Sequence, residues 1–209
     1  MTQPRWQRRA DERPREICAA ALDVFAEKGF AAAKLDEIAR RAGVSKGTLY
    51  IYFKDKEELF RAVVRSAIAP NIEAVTSAVS SLDAPASDVV RMFLSGFAER
   101  EARLPVGAVA KIVVGESRNF PELARVWHDE VASKAIGALA GFVEQAQQRG
   151  EVKIGDPRLY AFSLIGPMVF GALWRATLVP AGGQPLDLAA LAKQHAETVL
   201  RGLLTEPAE

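Results

Sequence analysis

The sequence predicts an all-α protein, three short N-terminal helices followed by longer ones that form a bundle, about nine in all. Three observations carry this. Apolar residues return at spacings of three and four, as in Ile17, Ala21, Val24 and Phe25 and again in Leu59, Val63, Val64 and Ala67, which is the period of one helix face. Glycines stand just past cationic stretches: Gly29 follows Glu27-Lys28, Gly43 follows Arg40-Arg41-Ala42 and Gly150 follows Gln148-Arg149, each where a helix C-terminus favours a residue that tolerates positive φ. No stretch alternates polar and apolar residues as a half-buried strand does.

Taken in order, the predicted helices cover 13–28, 35–42, 46–53, 56–80, 86–103, 106–115, 121–149, 157–178 and 186–204. Two starts are marked by capping chemistry. Asp55 with Glu58 three residues later forms a capping box, and Asp156 precedes Pro157, a cap residue before a first-turn proline. Pro70 falls inside the long fourth helix, where it removes one backbone hydrogen bond, so a kink is expected near Ser66 to Pro70. The contrast between short and long helices divides the chain into residues 1–54 and 55–209. No Gly-, Ser- or Pro-rich linker separates them, so the fourth helix should transmit displacement where a tether would not. The first dozen residues, Pro180 to Pro185 and the tail after Thr205 read as low-order segments, and there is no internal repeat.

Composition excludes several classes. The chain has 209 residues, 49% of them hydrophobic, enough for a full core, and a formal net charge of +1, so any contact with nucleic acid must come from a local basic surface. Cys18 is the lone cysteine, which rules out an internal disulfide framework and a Cys-rich zinc site. The Arg-rich start lacks an apolar signal core, and no apolar run approaches the roughly 18 residues of a membrane span, so a cytoplasmic protein without membrane contact is expected. His128, Asp129 and Glu130 are adjacent, but successive helical side chains diverge by about 100° and do not converge on one atom. No nucleophile and base set, phosphate-cradling glycine loop or metal-ligand spacing appears; an enzyme, a metal site and a cofactor are not expected. His195 reads as a hydrogen-bonded core or interface histidine, and Cys18 as a small apolar residue.

The most specific signal lies between Leu35 and Phe53. Leu35, Ile38, Ala39 and Ala42 give one short helix an apolar stripe, Gly43-Val44 make a turn, and Ser45 can cap the next helix, which is the pattern of a helix-turn-helix. In that second helix Leu49 and Phe53 point inward at i and i+4, leaving Lys46, Gly47, Thr48, Tyr50 and Tyr52 outward. Those types suit DNA. Gly47 lets the backbone approach a phosphate, Lys46 neutralises one, the hydroxyls of Thr48 and the tyrosines reach phosphates or base edges, and the free N–H groups at the helix start favour an anion. Lys56, opening the fourth helix, and Lys54 extend the basic rim.

Gly29-Phe30, Asp36-Glu37-Ile38-Ala39, Ala42-Gly43-Val44-Ser45-Lys46-Gly47-Thr48-Leu49-Tyr50, Tyr52-Phe53 and Lys56-Glu57-Glu58-Leu59 together resemble the TetR/AcrR family of bacterial regulators over roughly residues 15 to 60. One position departs from the pattern: Lys34 stands where the family usually has a capping Ser or Thr. The cap, typically worth about 1 kcal/mol, is then lost or replaced, while Asp36 and Glu37 still favour the positive helix end and Lys34 becomes a candidate phosphate contact. Arg5, Arg8, Arg9, Arg13 and Arg15 fit either a DNA-tracking arm or a solvated tail, of which the tail is favoured because Asp11, Glu12 and Glu16 are interspersed.

Beyond residue 60 no motif is as specific. The resemblance implies an effector-binding bundle and a homodimer paired through its last two helices. The eighth helix is apolar around most of its circumference, through Leu159, Phe162, Ile165, Val169, Phe170, Leu173 and Trp174. The last carries Leu188, Leu191, Ala192, His195, Val199 and Leu203, a stripe that suits an isologous interface or, alternatively, the chain's own core. Two recognition helices roughly 34–36 Å apart would meet successive major grooves, so a pseudo-palindromic operator on double-stranded DNA is expected. Candidate pocket residues are Met92, Phe93, Phe97, Trp127, Phe142, Met168, Phe170 and Trp174, since aromatic and Met side chains line adaptable cavities. The function expected is a repressor released from DNA by a small apolar or amphipathic ligand. The alternatives are a DNA-binding regulator without an effector, and a binding protein or enzyme whose helix-turn-helix is vestigial.

Overall fold

The computed structural model describes residues 5–67, 84–101 and 106–205, with side chains from Arg13 onward. Its helices are α1 (Arg5–Ala32), α2 (Leu35–Arg41), α3 (Lys46–Tyr52), α4 (Lys56–Ala67), α5 (Ala86–Glu101), α6 (Val106–Glu116), α7 (Pro121–Trp127), a π-helical segment (His128–Ala132), α8 (Ser133–Gln148), α9 (Pro157–Thr177) and α10 (Leu188–Leu203). The protein is all-α, and the one β-type pairing among the described residues is the isolated bridge between Val152 and Leu204.

Local chemistry explains most boundaries. Asp156 accepts hydrogen bonds from the Arg158 and Leu159 N–H groups, and Asp187 does the same for Ala189 and Ala190. Asp55 Oδ1 accepts from the Glu58 N–H at 2.8 Å while Glu58 reaches back to the Lys54 N–H at 2.7 Å, a capping box shifted by one residue. Gly29, Gly43 and Gly150 all have positive φ, as their positions after helical runs require.

Several expectations are corrected. The N-terminal stretch read as a low-order tail is helical from Arg5, because Gln, Arg, Ala and Glu are good helix formers and Pro14 deletes a single donor without ending the helix. At its other end α1 bends at Gly29 (φ 78°, ψ 166°) and adds a further turn to Ala32. The segment read as one helix over 121–149 is interrupted by the π segment at His128–Ala132. Pro70, with its expected kink, lies outside the described residues. Finally, α9 is long and apolar enough to cross a membrane by length and composition, which a search for an unbroken apolar run misses because Ser163, Gly166, Pro167 and Gly171 interrupt it. It packs against α5, α8 and α10.

The chain divides into two compact units, Met1–Ala69 with Ile112–Glu130, and Pro70–Lys111 with Val131–Glu209. In the first, α1 packs on α2 and α4, and α4 on α7. Its centre is an aromatic cluster: the Phe25, Phe30 and Phe60 rings lie 5.3 to 6.1 Å apart, and Phe120 meets Phe30 edge-on at 4.9 Å. Ile17, Ala21, Val24, Ile38, Leu49, Leu59, Val63 and Val64 complete the core. Glu116 Oε1 accepts the Ala31 N–H at 3.1 Å, and Arg65 pairs with Glu130 at 2.6 Å. Cys18 is buried, and burial pushes its thiol pKa up.

The second unit has its own core, where Val89, Val90, Phe93, Leu94, Leu139, Phe142, Val143, Leu164, Met168, Leu188, Leu200 and Leu203 are buried together. α6 and α9 cross closely there: a Cβ added to Gly107 would stand 2.2 Å from the Ala172 carbonyl oxygen. Glu101 caps the start of α6, its carboxylate accepting the Val106 and Gly107 N–H groups at 3.0 and 3.1 Å. The α10 stripe lies mostly inside this core. Leu188, Ala192 and Leu203 are buried, Leu191 and Val199 pack against the core, and His195 Nε2 sits 3.1 Å from the Leu164 carbonyl oxygen. The core alternative therefore holds for this face of α10.

Candidate nucleic-acid interface

α2 begins at Lys34, whose backbone is extended (φ −109°, ψ 135°) and whose side chain makes no capping hydrogen bond. The Lys34 carbonyl accepts from the Glu37 and Ile38 N–H groups, and Asp36 and Glu37 occupy the first turn, where carboxylates oppose the positive helix end. Glu37 also pairs with Lys28 of α1 at 2.7 Å, and Arg41 with Glu27 at 2.6 Å; these cations hold both carboxyls below the usual carboxylate range. The pairs are exposed and worth little individually, but they fix the register of α2 against α1.

The turn between α2 and α3 is a Schellman motif. The Val44 N–H donates to the Ala39 carbonyl at 3.0 Å and the Gly43 N–H to the Arg40 carbonyl at 3.1 Å, with Gly43 at φ 67°. A residue with a Cβ would be strained there. Ser45 then caps α3: its Oγ accepts the Thr48 N–H at 3.0 Å and lies 2.8 Å from Thr48 Oγ1. Leu49 is fully buried and Phe53 nearly so, and together they fix which face of α3 looks outward.

On that face Ser45, Lys46, Gly47 and Tyr50 are exposed, and Thr48 and Tyr52 are half-buried. Lys46 Nζ pairs with Asp36 Oδ1 at 2.8 Å, which raises its pKa, so its charge is matched by a carboxylate on the same surface. Lys56 is placed differently. Its ammonium donates to the carbonyls of Phe30, Ala31 and Ala33 at 2.6, 3.0 and 3.2 Å and lies 4.6 Å from the centre of the Phe30 ring. Three donors meet three acceptors at the end of α1, and desolvation lowers the pKa. Lys34 and Lys54 are exposed at the rim.

Ile51 is missing from the sequence-based set. It is 79% exposed, more than Tyr50 at 46%. The signal was present in the helical period, since Ile51 lies about 200° from Leu49, opposite the buried face; a search for polar types passes over it.

The pocket candidates do not form one group. Phe93, Phe142 and Met168 are buried in the core of the second unit with Phe97 packed against them. Met92 and Phe170 are exposed on that unit, where the half-buried Trp174 donates its Nε1–H to the Gln184 carbonyl at 3.0 Å. Trp127 belongs to the other unit. His128 Nδ1 lies 2.8 Å from Asp129 Oδ1 in an exposed pair, and among the described residues no three metal-ligating side chains cluster.

Residues 17–63 match the model of bacterial regulatory proteins of the tetR family, and residues 88–201 match that of the AefR-like transcriptional repressor C-terminal domain. The chain is 26% identical over 190 residues to the fatty acid metabolism regulator protein of Bacillus subtilis, covering 90% of this chain and 94% of that protein. A crystal structure of a TetR-family transcriptional regulator from Mesorhizobium loti shares the fold with a TM-score of 0.72 and 25% identity, covering 94% of this chain and 99% of that one. The regulator FadR from Bacillus subtilis, in complex with stearoyl-CoA, aligns with a TM-score of 0.67 and 23% identity over 90% of this chain and 97% of its own. With one family model spanning more than half of the chain and another covering the helix-turn-helix, the chain belongs to the TetR family of bacterial regulatory proteins and is a DNA-binding transcriptional regulator.

Proposed function

We propose that this chain is a cytoplasmic repressor, without enzymatic activity, that binds a pseudo-palindromic operator as a homodimer and leaves it when an amphipathic ligand occupies its C-terminal region. Residues 1–54 read the DNA, and residues 55–209 bind the effector and dimerise. The observation that carries the DNA reading is the geometry of α3: with Leu49 and Phe53 buried behind it, the helix faces outward with a bare backbone at Gly47, hydroxyls at Ser45, Thr48, Tyr50 and Tyr52, and an ammonium at Lys46. Asp36 releases Lys46 when a phosphate offers a better counter-charge, and Lys34 adds a second cation at the rim. Lys56, engaged with the end of α1, holds this surface from behind.

Dimerisation is supported by the exposed face of α9. Leu159, Phe162 and Phe170 are 65%, 50% and 61% exposed and fall on one stripe of the helix, with Gly166 between them. An apolar stripe of this kind favours burial against its own copy about a two-fold axis, with α10 alongside.

The ligand class is supported by similarity along 90% of the chain to a protein named as a fatty acid metabolism regulator, and the apolar interior of the second unit around Phe93, Phe97, Phe142 and Met168 is chemically compatible with it. An acyl chain bearing a polar head fits both. The experiment is fluorescence anisotropy of a labelled operator, obtained by binding-site selection, titrated with stearoyl-CoA, oleate and coenzyme A alone. Release by an acyl compound at micromolar concentration, with none by coenzyme A, supports the reading. An operator complex indifferent to all three removes the acyl ligand class.

A further inference from the structure

We infer that Ile51 is a specificity-determining residue, whose side chain reads the methyl group of a thymine in the major groove. The inference rests on α3 being the reading helix. Ile51 is 79% exposed and so adds little to the core, and what sets it apart from other exposed apolar side chains is its place on the outward face of the helix that Leu49 and Phe53 orient. Its position is the outermost on the helix, about 200° from the buried Leu49.

Its neighbours on the surface narrow what it meets. Gly47, one turn earlier on the same face, has no side chain, and a Cβ there would find only Ser45 Oγ at 3.8 Å. The surface is therefore low in front of Ile51, so a groove can seat against the backbone at Gly47 while Ile51 projects into it. Ser45, Thr48 and Tyr50 bring hydroxyls to the flanks, and these groups bond phosphates or base edges. Ile51 has no polar atom with which to do so. In the major groove the thymine C5-methyl is the apolar feature that base pairs display, and apolar side chains recognise it by contact. The branched side chain has few rotamers, so little freedom is lost when it is held against that methyl. Ile51 thus supplies a preference for A·T at one position of each half-site, complementing whatever the hydroxyls read.

The test uses the full chain and duplexes selected by it from a random library. Each thymine is replaced in turn by deoxyuridine, symmetrically in both half-sites, which removes the methyl and leaves base pairing intact. Binding is compared for the wild type and Ile51→Ala, the fold of the variant being checked by circular dichroism and thermal unfolding. One thymine pair is expected at which deoxyuridine weakens the wild type by roughly tenfold, about fourfold or less per methyl buried, while Ile51→Ala loses less than about twofold there. Equal losses for both proteins at every thymine, a selected operator without thymine in the half-sites, or an unaltered sequence preference in Ile51→Ala would overturn the inference while leaving DNA binding intact. If the wild type selects no sequence at all, the reading helix itself is misassigned and both proposals fall.

Discussion

Lys34 and Lys56 carry the same ammonium and have opposite fates. Lys34 opens α2 with its side chain exposed, whereas Lys56 closes the end of α1 by donating to three carbonyls. Substituting them should separate binding from folding. Lys34→Ala is expected to leave stability within about 0.5 kcal/mol, to weaken operator affinity, and to lower the salt slope by about two units, one for each half-site. Lys56→Met is expected to cost about 1–3 kcal/mol in urea unfolding, since it leaves acceptors unsatisfied. Urea titrations and salt-dependent anisotropy on both variants check this, and a loss of stability in Lys34→Ala with none in Lys56→Met would reverse the assignment. Glu101 offers a second residue-scale test. Burial raises its pKa from 4.5 to about 7, against the opposing effects of the two N–H groups it caps and of Arg175. A carboxyl whose folded pKa lies above its unfolded value binds its proton more tightly when folded, so its contribution is fully present below about pH 4.5 and is lost as the pH rises through about 7. Glu101→Gln keeps an acceptor but no titration, and the fall in stability between those pH values should flatten in thermal melts of the variant.

At the scale of elements, the α6 and α9 crossing depends on the absence of one side chain. Gly107→Ala would drive a methyl into the Ala172 carbonyl, at 2.2 Å before relaxation, so the helices must separate. The expected cost is at least the roughly 1–3 kcal/mol typical of overpacking, read by urea unfolding; a neutral result would mean that the two helices part easily at this crossing. Nothing local marks Gly107, which sits in an ordinary helical run. The same limit explains what else the sequence did not disclose. Helix starts and stops were legible because Asp55, Asp156, Gly43 and Gly150 act on neighbours within a few residues, whereas the cap at Asp187 was not singled out. The helix-turn-helix was legible for that reason too, with Ser45, Leu49 and Phe53 each doing what its type and spacing imply. Lys56 was read as part of a basic rim because its three carbonyl partners lie 23 to 26 residues away. The inward stripe of α10 and the exposed stripe of α9 are both apolar and periodic, so periodicity alone does not say which meets the chain's own core. Met92 and Phe170 were grouped with buried aromatics by residue type, although exposure separates them.

For the whole molecule, reading two half-sites requires two copies held at a fixed spacing, and the exposed α9 stripe is the surface we propose for that contact. Phe162→Glu combined with Phe170→Glu places two carboxylates in the two-fold seam without disturbing the buried core. Sedimentation velocity is expected to show a dimer for the wild type and a monomer for the double variant; a persistent dimer would move the interface elsewhere. The most direct test of the central claim is the salt dependence of binding by the full chain to a duplex with both selected half-sites and to one with a half-site scrambled. On the intact operator, affinity should fall steeply, by about three orders of magnitude or more between roughly 50 and 200 mM salt, and scrambling one half should abolish specific binding. Affinity that ignores salt, or that is unchanged when one half-site is lost, would contradict a dimer reading DNA through paired α3 helices.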